Sequence, residues 1–269
     1  MHEILGSLPA ESYVLDLGCA KGSFRKEATR ARCVRLDRDP PPHQHTGALI
    51  VQGDAAMLPF RPAVFAAIIS NHSLEHFDNL DGALSEIARV ISPQIGRLYI
   101  AVPDASTLTD RLYRWLGRGG GHVNAFTSAG DLARMVQRAT GLPHVATRTL
   151  CSSLSFLNRR IAVRPLPRRM ILIGGGHEWS LIGFEWLSRR LDRFFRRRTS
   201  VYGWALYFGA ISEPVNTRTS VNVCILCGSG TPSAELATRS LVASSWGFDV
   251  YRCPDCGTTN SYIDDFEIA

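Results

Sequence analysis

Up to about residue 150, short apolar runs alternate with stretches in which apolar residues recur every three or four positions. Tyr13–Leu17, Arg32–Asp37, the run before Gly53, Ala66–Asn71 and Arg97–Val102 are short and rich in Val, Ile, Leu and Ala. Apolar runs without regular polar alternation are read as strands buried on both faces. Before the fifth of them, Leu80, Ala83, Leu84, Ile87 and Val90 fall on one helical face. A leading helix over 2–9, a helix capped by Thr127 or Ser128, a sixth strand over 143–150 and a last strand over Val201–Phe208 complete the pattern. This βαβα order predicts an α/β fold: a doubly wound, mostly parallel seven-stranded sheet covered by helices on both faces.

Three segments interrupt it. Asp39-Pro-Pro-Pro-His43 cannot continue a helix and is read as a loop. Gly117–Gly121, carrying Arg118, reads as a hinge ahead of His122-Val-Asn-Ala-Phe-Thr127, serving either a lid or a solvated surface loop. The third, Leu154–Arg198, is a helical insertion. Leu181, Phe184, Leu187, Leu191 and Phe194 follow helical spacing there, with Trp179, Trp186 and Phe195 beside them and Arg189, Arg190, Arg193, Arg196 and Arg197 on other faces. An amphipathic basic helix is predicted, its apolar face packed as a cap over the substrate. The alternative is a helix over 179–198 lying on a membrane surface, and RNA-backbone binding is a third reading, with nucleic acid ranked lower.

Charge sharpens the picture of that insertion. The chain carries +6 overall, but eleven arginines in 156–200 against Glu178, Glu185 and Asp192 give that segment +8 and leave −2 for the rest. The basicity is local and argues against a generally nucleic-acid-coating protein. The segment Met1-His-Glu-Ile-Leu-Gly6 lacks a basic stretch before an apolar one, and no run reaches the ~18 apolar residues of a membrane span. A cytoplasmic protein, at most peripheral to a membrane, is expected.

Candidate chemistry begins at Tyr13-Val-Leu-Asp-Leu-Gly-Cys-Ala-Lys-Gly-Ser-Phe24, a strand entering a glycine-bearing turn that opens a helix. Gly18 and Gly22 permit backbone angles and a close ligand approach that a Cβ would block. Asp37 ends the second strand about twenty residues after Asp16, where a carboxylate can take both ribose hydroxyls. Gly53-Asp-Ala-Ala-Met-Leu-Pro-Phe60 follows the third strand, and Asn71 ends the fourth, leading into His72-Ser-Leu-Glu-His76. Open α/β sheets bind ligands at the carboxyl ends of their strands, which places Gly18, Asp37, Asp54, Asn71 and Asp104 on one rim.

In these motifs the chain resembles the class I S-adenosylmethionine-dependent methyltransferases of the type 11 group, over roughly residues 8–150 with a return at 201–210. The resemblance implies a Rossmann-like core with S-adenosylmethionine as cofactor. Asp16 would organise the turn and face the methionine amino group, and Gly18 and Gly22 would leave room for the methionine and ribose parts. Asp37 would hold the ribose diol. Asp54 would accept from the adenine amine with the Ala55 amide near the ring, and Asn71 would line the methionine end. Ala20 departs from the family, which most often has glycine there, and a narrower ribose approach is expected. The glycine placement is not that of a dinucleotide fingerprint.

Methyl transfer from a sulfonium needs alignment and exclusion of water more than acid–base chemistry. If the acceptor must lose a proton, His72, His76 and His122 are the candidate bases, with His122 preferred. Cys224-Ile-Leu-Cys227-Gly and Cys253-Pro-Asp-Cys256-Gly are two Cys-x-x-Cys knuckles, suited to one structural tetrahedral zinc ion, with two disulfides as the alternative. They resemble a zinc ribbon on which the rest of the fold is not expected to depend. The expected domains are a core over 1–152, the insertion over 153–200, a last core strand over 201–215 and the ribbon-like module over 216–269. The expected activity is methyl transfer to a small-molecule, glycan or lipid-linked acceptor. RNA methylation and a non-catalytic cofactor-binding scaffold are the alternatives.

Overall fold

The computed structural model describes residues 1–20, 22–24, 26–40, 47–116, 121–160, 176–239, 242–245 and 248–266. The later part of the proline loop (41–43), most of the glycine hinge with Arg118 (117–120) and part of the insertion (161–175) lie outside the described residues. Seven strands form the main sheet: β1 Tyr13–Leu17, β2 Arg32–Asp37, β3 Leu49–Gln52, β4 Phe65–Asn71, β5 Arg97–Pro103, β6 His144–Cys151 and β7 Val201–Gly209. Their order is β3-β2-β1-β4-β5-β7-β6. The pairs within β3-β2-β1-β4-β5 are parallel, whereas β7 runs antiparallel to β5. The expected Rossmann-like, mostly parallel sheet is therefore the observed one, but among the described residues the helix expected to open after the β1 turn is only a 3-10 turn over Lys26–Ala28.

The chain forms two compact units, one of Met1–Ala105, Gly121–Arg148 and Gly203–Thr217, the other of Ser106–Gly120, Thr149–Tyr202 and Arg218–Ala269. In the first, β1, β4 and β5 bury almost every side chain, which is why their sequences read as unbroken apolar runs. Helix α1 (His2–Leu5) is shorter than the expected 2–9, since Gly6 and Pro9 are poor continuations of a short helix. Helix α2 (Leu80–Val90) buries Ala83, Leu84, Ile87 and Val90, four members of the predicted stripe. Each of the three larger side chains contributes about 1.5–3 kcal/mol by leaving water. The Asn79 side chain caps this helix by accepting from the Gly82 amide.

The second unit holds helix α3 (Leu108–Leu116). The other helix of the first unit, α4 (Ala129–Thr140), starts at Ser128, whose side chain accepts from the Asp131 amide, so Ser128 and not Thr127 is its cap. Back in the second unit, helix α5 (Glu178–Phe195) is followed by α6 (Ser233–Thr238) and a small antiparallel sheet of β8 (Val242–Ser245), β9 (Phe248–Arg252) and β10 (Thr259–Ser261).

Helix α5 corrects one expectation. It is the predicted helix, but its buried face is Leu181, Ile182, Glu185, Ser188, Arg189 and Asp192. Of the predicted apolar stripe Leu181 is buried, but Phe184, Leu187 and Phe194 are exposed, as are Trp179 and Phe195 beside it. The polar stripe is buried because backbone groups outside α5 satisfy it. Arg189 donates to the carbonyls of Ser152 (2.6 Å) and Val221 (3.1 Å). Asp192 accepts from the amides of Thr199 (2.6 Å) and Ser200 (2.9 Å). Glu185 lies 3.8 Å from Arg189, and burial raises its carboxyl well above the ordinary range, with Arg189 opposing the shift.

A carboxyl raised in the folded state loses stability as pH rises from its unfolded pKa, about 4.3, toward the folded value. Glu185→Gln should therefore remove that part of the pH dependence and cost little at neutral pH. Arg189→Leu, which strips the partner from the two carbonyls and from Glu185, should lose about 3 kcal/mol or more. Urea denaturation of both variants across acid and neutral pH measures the contrast.

Candidate active site

Because β1 to β5 are parallel, their carboxyl ends share one edge of the first unit, and the residues after them form its rim. Gly18 follows β1 with φ +69°, and a Cβ there would stand 2.4 Å from Ser73 Cβ. Ser73 in turn donates to the Leu17 carbonyl (2.9 Å), locking the turn to the segment after β4. The amides of Gly18 and Cys19 both donate to the Leu36 carbonyl of β2. Ala20 adopts φ +41°, the left-handed conformation that glycine would take, and remains exposed. Its amide donates to Asp37 Oδ2 (2.7 Å), while the Asp39 amide donates to Asp37 Oδ1 (3.0 Å).

Asp16 lies beneath the turn with no exposure. Its Oδ2 accepts from the Ser23 amide (2.9 Å) and sits 3.6 Å from Arg35 Nε. Arg35 also donates to the Phe24 carbonyl (3.0 Å), and a Cβ on Gly22 (φ +106°) would come within 2.5 Å of its guanidinium. Burial pushes the Asp16 carboxyl up, opposed by the Ser23 hydrogen bonds and by Arg35. Asp16 Oδ1 has no hydrogen-bond partner among the described residues. Burial pushes the Cys19 and Cys33 thiols up to about 12 and about 11, which favours their protonated form.

After β3, Asp54 accepts from the Ala56 amide (2.8 Å), the main cause of its lowered pKa, and from Arg38 (3.1 Å). Arg38 also reaches Asp78 (2.9 Å), forming an exposed clasp across this part of the rim. Ala55 is buried, Asn71 is half-buried at the end of β4 opposite Ala101, and Asp104 is buried after β5.

The three candidate histidines gather around Glu75. His72 Nδ1 lies 3.7 Å from Glu75 Oε1, and the rings of His76 and His122 are 4.9 Å apart, edge to face. The Val123 and Asn124 amides donate to the Glu75 carbonyl, and the Asn124 side chain donates to the carbonyls of Leu74 (2.9 Å) and Phe77 (2.8 Å). In the second unit, one sulfur from each of Cys224, Cys227, Cys253 and Cys256 lies within 4.8 Å of the others. The Cys224–Cys256 and Cys227–Cys253 separations are 3.5 and 3.6 Å. Those distances far exceed a disulfide bond and approach the roughly 3.8 Å between sulfurs of tetrahedral zinc. The Leu226 amide donates to Cys224 Sγ (3.4 Å), and Gly228 and Gly257 take φ +74° after each knuckle.

Sequence reasoning missed Arg35, Arg38, Ser73 and Asn124. A visible signal existed for Arg35, an arginine between Val34 and Leu36 in the otherwise apolar interior of β2. The other three act through partners distant in sequence. Gly22→Ala should cost about 1–3 kcal/mol, since both its backbone angle and Arg35 oppose a side chain. Ala20→Gly should change stability by no more than about 1 kcal/mol, relief of left-handed strain being offset by a freer unfolded chain. Thermal unfolding of the two variants separates these outcomes.

Comparison with known proteins gives the rim a context. The family described as "Methyltransferase domain" matches residues 1–143. Malonyl-[acyl-carrier protein] O-methyltransferase of Methylococcus capsulatus is 29% identical over 193 residues, covering 62% of this chain and 68% of that protein. The structure of geranyl diphosphate C-methyltransferase from Streptomyces coelicolor A3(2), solved with Mg2+, geranyl diphosphate and S-adenosyl-L-homocysteine, shares the fold at a TM-score of 0.51. It is 13% identical, with 78% of this chain and 77% of that one covered. With more than half of its length matched, the chain belongs to the methyltransferase-domain family and is an S-adenosylmethionine-dependent methyltransferase.

Proposed function

We propose that S-adenosylmethionine lies along the rim formed after β1 to β4 and that its methyl group passes to an oxygen of a small-molecule or carrier-linked acceptor. The observation that carries the cofactor placement is Asp37. Two amides hold its carboxylate rigidly, one on each oxygen, and each oxygen keeps a further lone pair for a ribose hydroxyl. Asp16 Oδ1, buried and without a donor among the described residues, suits the methionine ammonium. Gly18 and Gly22 keep the turn low against Ser73 and Arg35, and Asn71 borders the methionine end. Asp54 and the Ala55 amide are the adenine contacts, with the Arg38 clasp opening to admit the ring.

An oxygen acceptor is supported by the O-methyltransferase relative at 29% identity. The bound cofactor supplies a methyl group already activated as a sulfonium, so the chain contributes alignment and a dry site. The acceptor proton goes to the histidine cluster, for which His122, beside His76 and following the glycine hinge, is our preferred base, with His72 the second choice. A glycan or lipid-linked acceptor remains within this reading.

We assign a structural zinc ion to Cys224, Cys227, Cys253 and Cys256, a closed set of four thiolates with no open position. In our division, the core spans 1–152 and 201–215, the insertion 153–200 and the cysteine module 216–269. The module is not independent of the insertion, as Ile225 of the first knuckle is buried with Leu154, Leu157, Leu181 and Ile182.

Asp37→Ala should weaken S-adenosylmethionine binding by roughly 2–4 kcal/mol, from the loss of two charge-assisted hydrogen bonds. Calorimetry reads this directly, and unchanged affinity rejects the diol assignment. Elemental analysis of protein purified without added metal should give about one zinc ion per chain. Chelation should reduce amide-exchange protection at Leu181 and Ile182, and protection that survives zinc loss contradicts the coupling.

A further inference from the structure

Glu75, His76 and His122 form a constellation that the cofactor does not use. One ligand atom from each lies within 4.8 Å of those of the other two. Glu75 is 1% exposed, and its Oε2 has no hydrogen-bond partner among the described residues. A buried carboxylate oxygen without a donor is costly unless a cation is close. The Gly121 carbonyl lies 2.9 Å from His76 Nδ1, which fixes the proton on that nitrogen and leaves the Nε2 lone pair available, the usual orientation of a metal-binding imidazole.

The constellation is also built rigidly. Residues 74–77 and 121–124 are clamped by the Val123 and Asn124 amides on the Glu75 carbonyl, the two Asn124 side-chain bonds and the His76–Gly121 bond. Those contacts hold His122 against Glu75 and His76 although they are distant in sequence. Ligands of tetrahedral zinc are roughly 3.4 Å apart, so side-chain rotation that brings these atoms closer by up to about 1.4 Å closes the triangle.

We infer that Glu75, His76 and His122 bind a divalent transition-metal ion that receives an oxygen of the acceptor. The inference rests on the methyltransferase reading of the same rim. Two imidazoles and one carboxylate favour zinc, iron, manganese or cobalt over magnesium or calcium and leave coordination positions open. An acceptor hydroxyl bound there loses its proton more readily, to His72 or to water. The oxygen then forms a bond to the methyl carbon as the carbon–sulfur bond breaks, leaving S-adenosylhomocysteine. His122 would serve in this case as a ligand and not as the base.

Cobalt(II) titration of the full chain, first loaded with zinc at its cysteines, tests the inference. The expected result is uptake of one further ion, with visible d–d absorption and without the near-ultraviolet charge-transfer band that thiolate ligands produce. His122→Ala and Glu75→Gln should each weaken that uptake by about 100-fold or more, as direct ligands exceed the 10- to 100-fold effect of outer-shell groups. Both should bind S-adenosylmethionine as the wild type does, which also shows that they are folded. Absence of a second ion, or uptake indifferent to both substitutions, overturns the metal site. Loss of cofactor binding in the wild type would instead count against the proposed function and leave the metal result to be read by itself.

Discussion

Asp16 carries the constraint on which the rim after β1 to β4 depends. A carboxylate with no exposure is tolerated because the Ser23 amide and Arg35 meet it, and Arg35 is simultaneously tied to the Phe24 carbonyl. The end of β1, the middle of β2 and the turn that follows β1 are thereby joined through one buried pair. Such a pair contributes little net stability against an apolar substitute, since desolvation offsets the attraction. Its effect is geometric. With Arg35 beneath Gly22 and Ser73 beneath Gly18, the turn has one available path, and that path brings the Ala20 amide onto Asp37.

The second unit uses the same device. Arg189, Glu185 and Asp192 are buried on α5, satisfied by carbonyls and amides of segments on either side of it in sequence. Ile225 packs with Leu181 and Ile182, and Asn158 donates to its carbonyl (3.1 Å), so the first cysteine knuckle and the insertion are one structure. Closing the four sulfurs around an ion would then stiffen α5 as well as the knuckles.

The parallel core was legible because strands buried on both faces must be apolar throughout, and α2 because a 3.6-residue period marks its inner side. Asp37 and Asp54 were legible as carboxylates at strand ends. The inner face of α5 was not. Its periodicity favoured the aromatic stripe, while the groups that make the charged stripe cheaper to bury are the carbonyls of Ser152 and Val221 and the amides and hydroxyls of Thr199 and Ser200, none of which the spacing within α5 reveals. The gathering of Glu75, His76 and His122 was hidden for the same reason, since it depends on Asn124 bonding to two backbone carbonyls.

The cofactor placement is tested most directly by a crystal structure of the chain with S-adenosylhomocysteine. The ribose hydroxyls should lie within hydrogen-bond distance of both Asp37 oxygens, the amino group should face Asp16 Oδ1, and Arg38 should have left Asp54. Nucleoside density away from the β1–β4 rim, or an Asp37 that meets no part of the ligand, would contradict it.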